Sequence, residues 1–219
     1  MLETITDQLK PISQDRLTLK EVTELLDTKN FFASSDYHIF KYIKSLPNTL
    51  PAQDAKINPN FMVDIHNSTV KDGDIFLFLG DLSESELMDK PEYQNQVKNL
   101  AKSMNGIKIM IIGNNDTMPI NYYYDCGFAY VSKEPLISLK KKMIFTHEPY
   151  DIVGSKFTSE FINMHGHIHG CKKYWNMNPD RHIDVYPGLH QNKILRYSEY
   201  CANYIRGLYR GQTIYHVGL

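Results

Sequence analysis

The sequence predicts an α/β fold, and three observations point to it. Short apolar runs recur along the chain, each ending in a polar residue of a type that ligates metals. Stretches whose apolar residues keep helical spacing lie between those runs. Turn signals rich in Gly, Asn and Asp mark the junctions.

Residues 1–30 read as an N-terminal helical extension and residues 31–219 as the main domain. Thr18 with Glu21 makes a capping box, after which Leu19, Val22, Leu25 and Leu26 share one face. The strands then follow in order. Phe31 to Ser35 runs into Asp36-Tyr37-His38, Ile75 to Leu79 into Gly80-Asp81, and Ile107 to Ile112 into Gly113-Asn114-Asn115-Asp116. Met143 to Thr146 leads to His147, and Phe161 to Met164 leads to His165-Gly166-His167-Ile168-His169. Helices are expected at Pro59 to Thr69 and at Pro91 to Met104, where Val97, Leu100, Ala101 and Met104 form a buried face. Lys71-Asp72-Gly73-Asp74 is a turn, and Asn105-Gly106 closes the second of those helices. Residues 128–145 suggest antiparallel strands with Lys140-Lys141-Lys142 as a solvated hairpin turn, and Asn192 to Arg206 a last helix.

At 219 residues and 42% hydrophobic, the chain suits one core. Its 24 basic and 25 acidic residues leave a net charge of -1, which gives no overall field for nucleic acid. Three cysteines without paired spacing fit a reducing compartment. No run reaches the roughly 18 apolar residues of a membrane span, so a cytoplasmic protein is expected. No membrane partner is expected, nucleic acid is disfavoured without being excluded, and a protein partner is left open.

In open α/β sheets ligands bind beyond the carboxyl ends of the strands, where loops converge. Asp, His and Asn gathered there mix hard oxygen with imidazole donors, which suits Mn, Fe, Zn, Co or Ni better than calcium. The order Asp-x-His, Gly-Asp, Gly-Asn-x-Asp, a lone His and Gly-His-x-His resembles the calcineurin-like metallophosphoesterase superfamily. The resemblance spans residues 32–169, and in residues 71–82, 104–116 and 143–150 it is similar to a branch of small bacterial and phage phosphoesterases. It implies a four-layer αββα sandwich of two mixed sheets flanked by helices. It also implies two divalent transition-metal ions, Mn first. Asp36, His38 and His169 would hold one ion, Asn114, His147 and His167 the other, and Asp81 would bridge. The implied activity is hydrolysis of a phosphodiester or phosphomonoester by metal-bound hydroxide.

Two departures qualify this. Asn115 stands where the family's Gly-Asn-His-Asp motif has a His that protonates the leaving oxygen, and an amide can only donate a hydrogen bond. Either good leaving groups are preferred, or His165 or His190 supplies the acid. Near the first motif a second His is missing, and Lys41 is a candidate phosphate contact instead. Asp116 is expected to orient a ligand His, and Glu84 is either a partner of the site or a surface charge. Tyr122, Tyr123 and Tyr124 on an expected loop are candidates for stacking on a base or aryl group, against ordinary packing. For His66, His182 and His216, exposed or capping roles are expected. The alternative function is a catalytically weakened protein-binding module on the same fold. A nuclease would be expected to add domains or a basic face, and neither is evident.

Overall fold

Phe76 and Phe78 belong to one buried apolar cluster, while Ile75, Leu77 and Leu79 belong to another, so the strand they form is covered on both faces. A parallel strand buried in this way reads as a continuous apolar run. The computed structural model describes residues 16–40, 60–150, 160–169 and 181–205. One sheet is built from β1 (Phe32–Ser34), β2 (Ile75–Phe78), β3 (Ile107–Ile111), β4 (Tyr130–Ser132) and β9 (Leu195–Arg196), in the spatial order β4-β3-β2-β1-β9. Its first four strands are parallel, and β9 pairs antiparallel with β1. The other sheet has the order β5 (Leu136–Ser138), β6 (Met143–Phe145), β7 (Ile162–His165) and β8 (His182–Asp184). There β5 is antiparallel to β6, and the rest are parallel.

Ala33, Leu77, Ile109 and Ile111 from the first sheet share a cluster with Leu136, Met143, Phe145, Met164 and Ile183 from the second, which packs the sheets face to face. The helices are α1 (Leu19–Thr28), α2 (Phe61–Thr69), α3 (Pro91–Lys102), α4 (Ile120–Asp125) and α5 (Tyr197–Ile205). Val22 and Leu26 of α1 and Tyr200 of α5 join that inner cluster. The opposite face of the first sheet is covered by Val63 of α2, Val97 and Ala101 of α3, and Tyr123 of α4. Two mixed sheets with flanking helices are the αββα arrangement expected from the sequence.

The Thr18 cap forms with both of its bonds, Glu21 N to Thr18 Oγ1 at 3.3 Å and Thr18 N to Glu21 Oε2 at 2.7 Å. Residues 128–145 do not form one antiparallel unit. β4 instead joins β3 in parallel, and only β5 and β6 pair antiparallel about the lysine turn. Residues 121–124 lie in α4 and not in a loop. The last helix begins at Tyr197 because Gln191 and Asn192 take left-handed φ of 56° and 58°, and Leu195 and Arg196 add to the β1 edge. Residues 1–15, Lys41, Cys171 and His216 lie outside the described residues.

Candidate metal centre

Asp36, Asp81 and Asn114 follow β1, β2 and β3 of the first sheet, and His147, His167 and His169 follow β6 and β7 of the second, so carboxyl ends from both sheets face one crevice. The chain turns sharply there. Asp36, His38, Asp81, His167 and His169 have φ of 55°, 43°, 60°, 69° and 45°. Non-glycine residues held in this region cost on the order of 1–3 kcal/mol each, and such strain clusters at functional sites. The first loop is pinned to the second by Asp36 N on Gly80 O at 2.8 Å and His38 N on Asp81 O at 3.1 Å. Close approach requires glycine where they meet: a Cβ on Gly80, itself at φ 87°, would lie 2.6 Å from Gly113 N.

Two clusters of ligand atoms result. Asp36, His38 and His169 form one, and Asp81, His147 and His167 the other, with the atoms of each within 4.8 Å of one another. In the first, His169 Nε2 lies 3.0 Å from Asp36 Oδ1 and 3.2 Å from His38 Nε2. In the second, Asn114 Oδ1 lies 2.8 Å from His147 Nε2 and 2.7 Å from His167 Nδ1. Asp81 stands between them, Oδ2 at 3.7 Å from His38 Nε2 and Oδ1 at 3.5 Å from His147 Nε2. Every residue that the sequence proposed as a ligand is therefore brought to this crevice.

The surroundings fit divalent cations. His147 donates Nδ1–H to Leu79 O at 2.7 Å, which turns the Nε2 lone pair inward. Glu84 Oε1 lies 2.7 Å from His38 Nδ1, an ion-pair contact without hydrogen-bond geometry, so Glu84 belongs to the site and is not a free surface charge. Burial pushes the Asp36 carboxyl up, but the hydrogen bond from His169 and the charges of His169, His147 and His38 outweigh it and bring its pKa down to about 2. Imidazole nitrogens gathered around buried carboxylates form a donor set that a bound cation satisfies.

Asn115 points at Asp81: its Nδ2 donates to Asp81 Oδ2 at 2.7 Å and its backbone N to Asp81 Oδ1 at 2.8 Å. Neither candidate for a replacement acid is placed for that role. His165 is fully buried at the end of β7, Nδ1 against Gly166 O at 2.9 Å, and burial holds the imidazole neutral with a pKa pushed down to about 3. His190 donates Nε2–H to Asp184 O at 2.8 Å and lies edge-on to Tyr200, and burial pushes its pKa down to about 4.

Asp116 does not orient a histidine. It accepts from Asp81 N at 2.8 Å, Leu82 N at 3.0 Å and Gly113 N at 2.8 Å, tying the second and third loops together. The tyrosines of α4 are committed to packing: Tyr123 is buried, Tyr122 donates to Gln94 O at 2.7 Å, and Arg16 covers Tyr124 at 3.9 Å. His66 and His182 are buried, not exposed. Sequence reasoning missed the Leu79 carbonyl, for which no sequence signal exists, and Tyr150, which stands half-exposed beside the crevice. Among the described residues no helix is long and apolar enough to cross a membrane.

The family model for calcineurin-like phosphoesterases matches residues 31–204. No curated protein matches the chain. Among solved structures, a protein of unknown function from Aquifex aeolicus, AQ665, is similar in fold, with a TM-score of 0.53 and 16% identity over 79% of this chain and 98% of its own. The Pseudomonas putida nuclease MPE aligns with a TM-score of 0.39 and 22% identity over 63% of this chain and 60% of its own. With the family match running through every strand and both ligand clusters, the chain belongs to the calcineurin-like phosphoesterase family.

Proposed function

We propose that the chain is a dimetal phosphoesterase that hydrolyses phosphodiesters, and less readily phosphomonoesters, of small phosphorylated substrates. Asp36, His38 and His169 would hold one transition ion and Asn114, His147 and His167 the other, with Mn first and Fe, Zn, Ni or Co as alternatives. The carrying observation is Asp81, whose two oxygens lie 3.7 Å and 3.5 Å from one histidine of each cluster, as a bridging carboxylate requires. When bound, such a pair of cations lowers the pKa of coordinated water and neutralises charge on the phosphoryl oxygens. The protein's own contribution is placement: Leu79 O aims the His147 imidazole, Glu84 sets its charge beside His38, and Asn115 holds the Asp81 carboxylate by two hydrogen bonds. With Asn115 engaged there, His165 buried and neutral, and His190 Nε2 committed to Asp184 O, none of these three side chains is placed to protonate the leaving oxygen. Esters whose leaving groups depart without a proton are then the better substrates.

The test is hydrolysis of bis-p-nitrophenyl phosphate against p-nitrophenyl phosphate by metal-stripped protein, with Mn, Ni, Zn or Mg restored separately. Metal-dependent release well above a His147→Ala control, faster on the diester, is the expected result. Two tightly bound metals without turnover on either ester would overturn the enzyme reading and favour the binding module.

A further inference from the structure

We infer that the cleft beside Asn114 and His147 is a subsite for a flat, uncharged aromatic group carried on the phosphate ester, with Tyr150 as its stacking wall; this rests on the phosphoesterase reading above. The cleft has a volume of about 400 Å³, and Asn114 and His147 belong to its lining, so it adjoins the candidate metal centre. An ester whose phosphorus lies against those two residues must send a substituent into this space or into solvent.

Ile112, Pro135, Pro149 and Tyr150 contribute apolar lining to the cleft. Tyr150 is 49% exposed, so aromatic surface beside the cleft is left uncovered. Its backbone is held in place: Tyr150 N donates to Asn163 Oδ1 at 2.7 Å, and the fully buried Asn163 donates Nδ2 to Ile144 O at 3.0 Å and Thr146 Oγ1 at 2.9 Å. A ring carried on an anchored backbone loses little freedom when a ligand stacks on it. Lys133 and Glu148 bring one charge of each sign to the lining, so a second anionic group gains no net attraction there. That selects a neutral ring over a further phosphate, and it matches a diester better than a polyphosphate. Tyr150 thus takes the role that the sequence suggested for Tyr122 to Tyr124.

Calorimetric titration of the Mn-loaded full chain with phenylphosphonate and with methylphosphonate tests the subsite. Wild-type protein should prefer the phenyl compound by roughly 5- to 100-fold, the range that one stacked ring contributes. Tyr150→Phe should keep that preference, and Tyr150→Ala should reduce it to within about 2-fold. Adenosine 5′-monophosphate as a third probe separates the two sources of such a ring: a comparable gain over methylphosphonate extends the subsite to nucleosides, and its absence confines it to aryl groups. Equal binding of the two phosphonates by wild type, or a phenyl preference that survives Tyr150→Ala, would overturn the inference while leaving metal-dependent hydrolysis intact. Failure of both phosphonates to bind the loaded protein would instead strike the phosphoesterase reading, and the subsite with it.

Discussion

Glu84→Gln should weaken one metal site and spare the other. The change is nearly isosteric and removes a charge from a side chain that is 18% exposed and whose Oε1 lies 2.7 Å from His38 Nδ1. Glutamine keeps the shape of the side chain but removes the negative charge that faces His38 Nδ1 and a cation beyond it. Unit charges about 4 Å apart near a protein surface attract by about 4 kcal/mol before solvent screening, so a loss of about 1–1.5 kcal/mol, or roughly 5- to 10-fold in affinity, is the lower expectation. Outer partners of this kind typically change metal affinity by about 10- to 100-fold. His147 provides the internal control, because its Nδ1–H is held by the neutral Leu79 carbonyl at 2.7 Å and not by an acid. Calorimetric titration of metal-stripped wild type and variant with Co or Mn should therefore show two binding steps, of which only one weakens. A change under about 2-fold, or equal loss at both steps, would refute the argument that Glu84 acts through His38. Unfolding of the metal-free variant should stay within about 0.5 kcal/mol of wild type, since the exchange leaves packing intact.

Asp81→Asn should lower both bound metal and turnover, the latter by at least about 100-fold; unchanged activity would refute the bridging role. Asn115→His should raise turnover of esters with poor leaving groups, by up to about 10²- to 10⁴-fold, and an unaltered leaving-group dependence would mean that another acid already acts. His66 sets a pH limit on stability. It is buried, donates Nε2–H to Asn105 O at 2.9 Å and accepts from Tyr37 O–H at 3.2 Å, and burial, aided by Lys108, lowers its pKa from 6.5 to about 4. The folded state thus binds fewer protons than the unfolded one, so this stability is complete above pH 6.5 and is lost as pH falls toward 4. Between pH 7.5 and 5 the loss is about 2 kcal/mol. Urea unfolding of metal-stripped wild type and His66→Gln across that range should show the difference between them shrinking by that amount; parallel curves would exclude His66 as the cause.

The candidate ligands were legible because each sits within about four residues of a strand end, where local pattern and position in the fold coincide. Gly-His-x-His shows how narrow that legibility is. His165 still belongs to β7 and its side chain is buried, while His167 and His169, beyond Gly166, enter left-handed backbone and turn to the crevice. Three histidines in five residues look alike in sequence, and the last strand position decides which of them can serve as acid or ligand. Strand β8 escaped notice because His-Ile-Asp has neither the length nor the alternation of a strand, and it is ordered only by pairing with β7. The same applies to β9, two residues whose place is set by the edge of β1. Partners that act through backbone atoms left no trace at all, since every residue carries the carbonyl that Leu79 uses.

Asn115 shows the remaining kind of illegibility, in which a departure from a motif is visible as a loss while its gain is not. Read as sequence, it removes a proton donor. In the fold its Nδ2 and backbone N both engage Asp81, whose oxygens lie 3.7 Å and 3.5 Å from one histidine of each cluster. Asp81 already has its own backbone N tied to Asp116, so bonds from two neighbouring loop residues fix both ends of Asp81. A histidine at 115 would restore the acid but give up the Nδ2 bond at 2.7 Å, keeping only the backbone one at 2.8 Å. The two effects have different readouts, leaving-group dependence for the acid and metal content for the Asp81 tether. If Asn115→His gains on poor leaving groups while binding metal less tightly, the asparagine exchanges proton transfer for a more firmly held bridge. If metal content is unchanged, the backbone N–H of residue 115 and the Asp116 clamp suffice to hold Asp81, and the amide's contribution lies only in what it does not protonate.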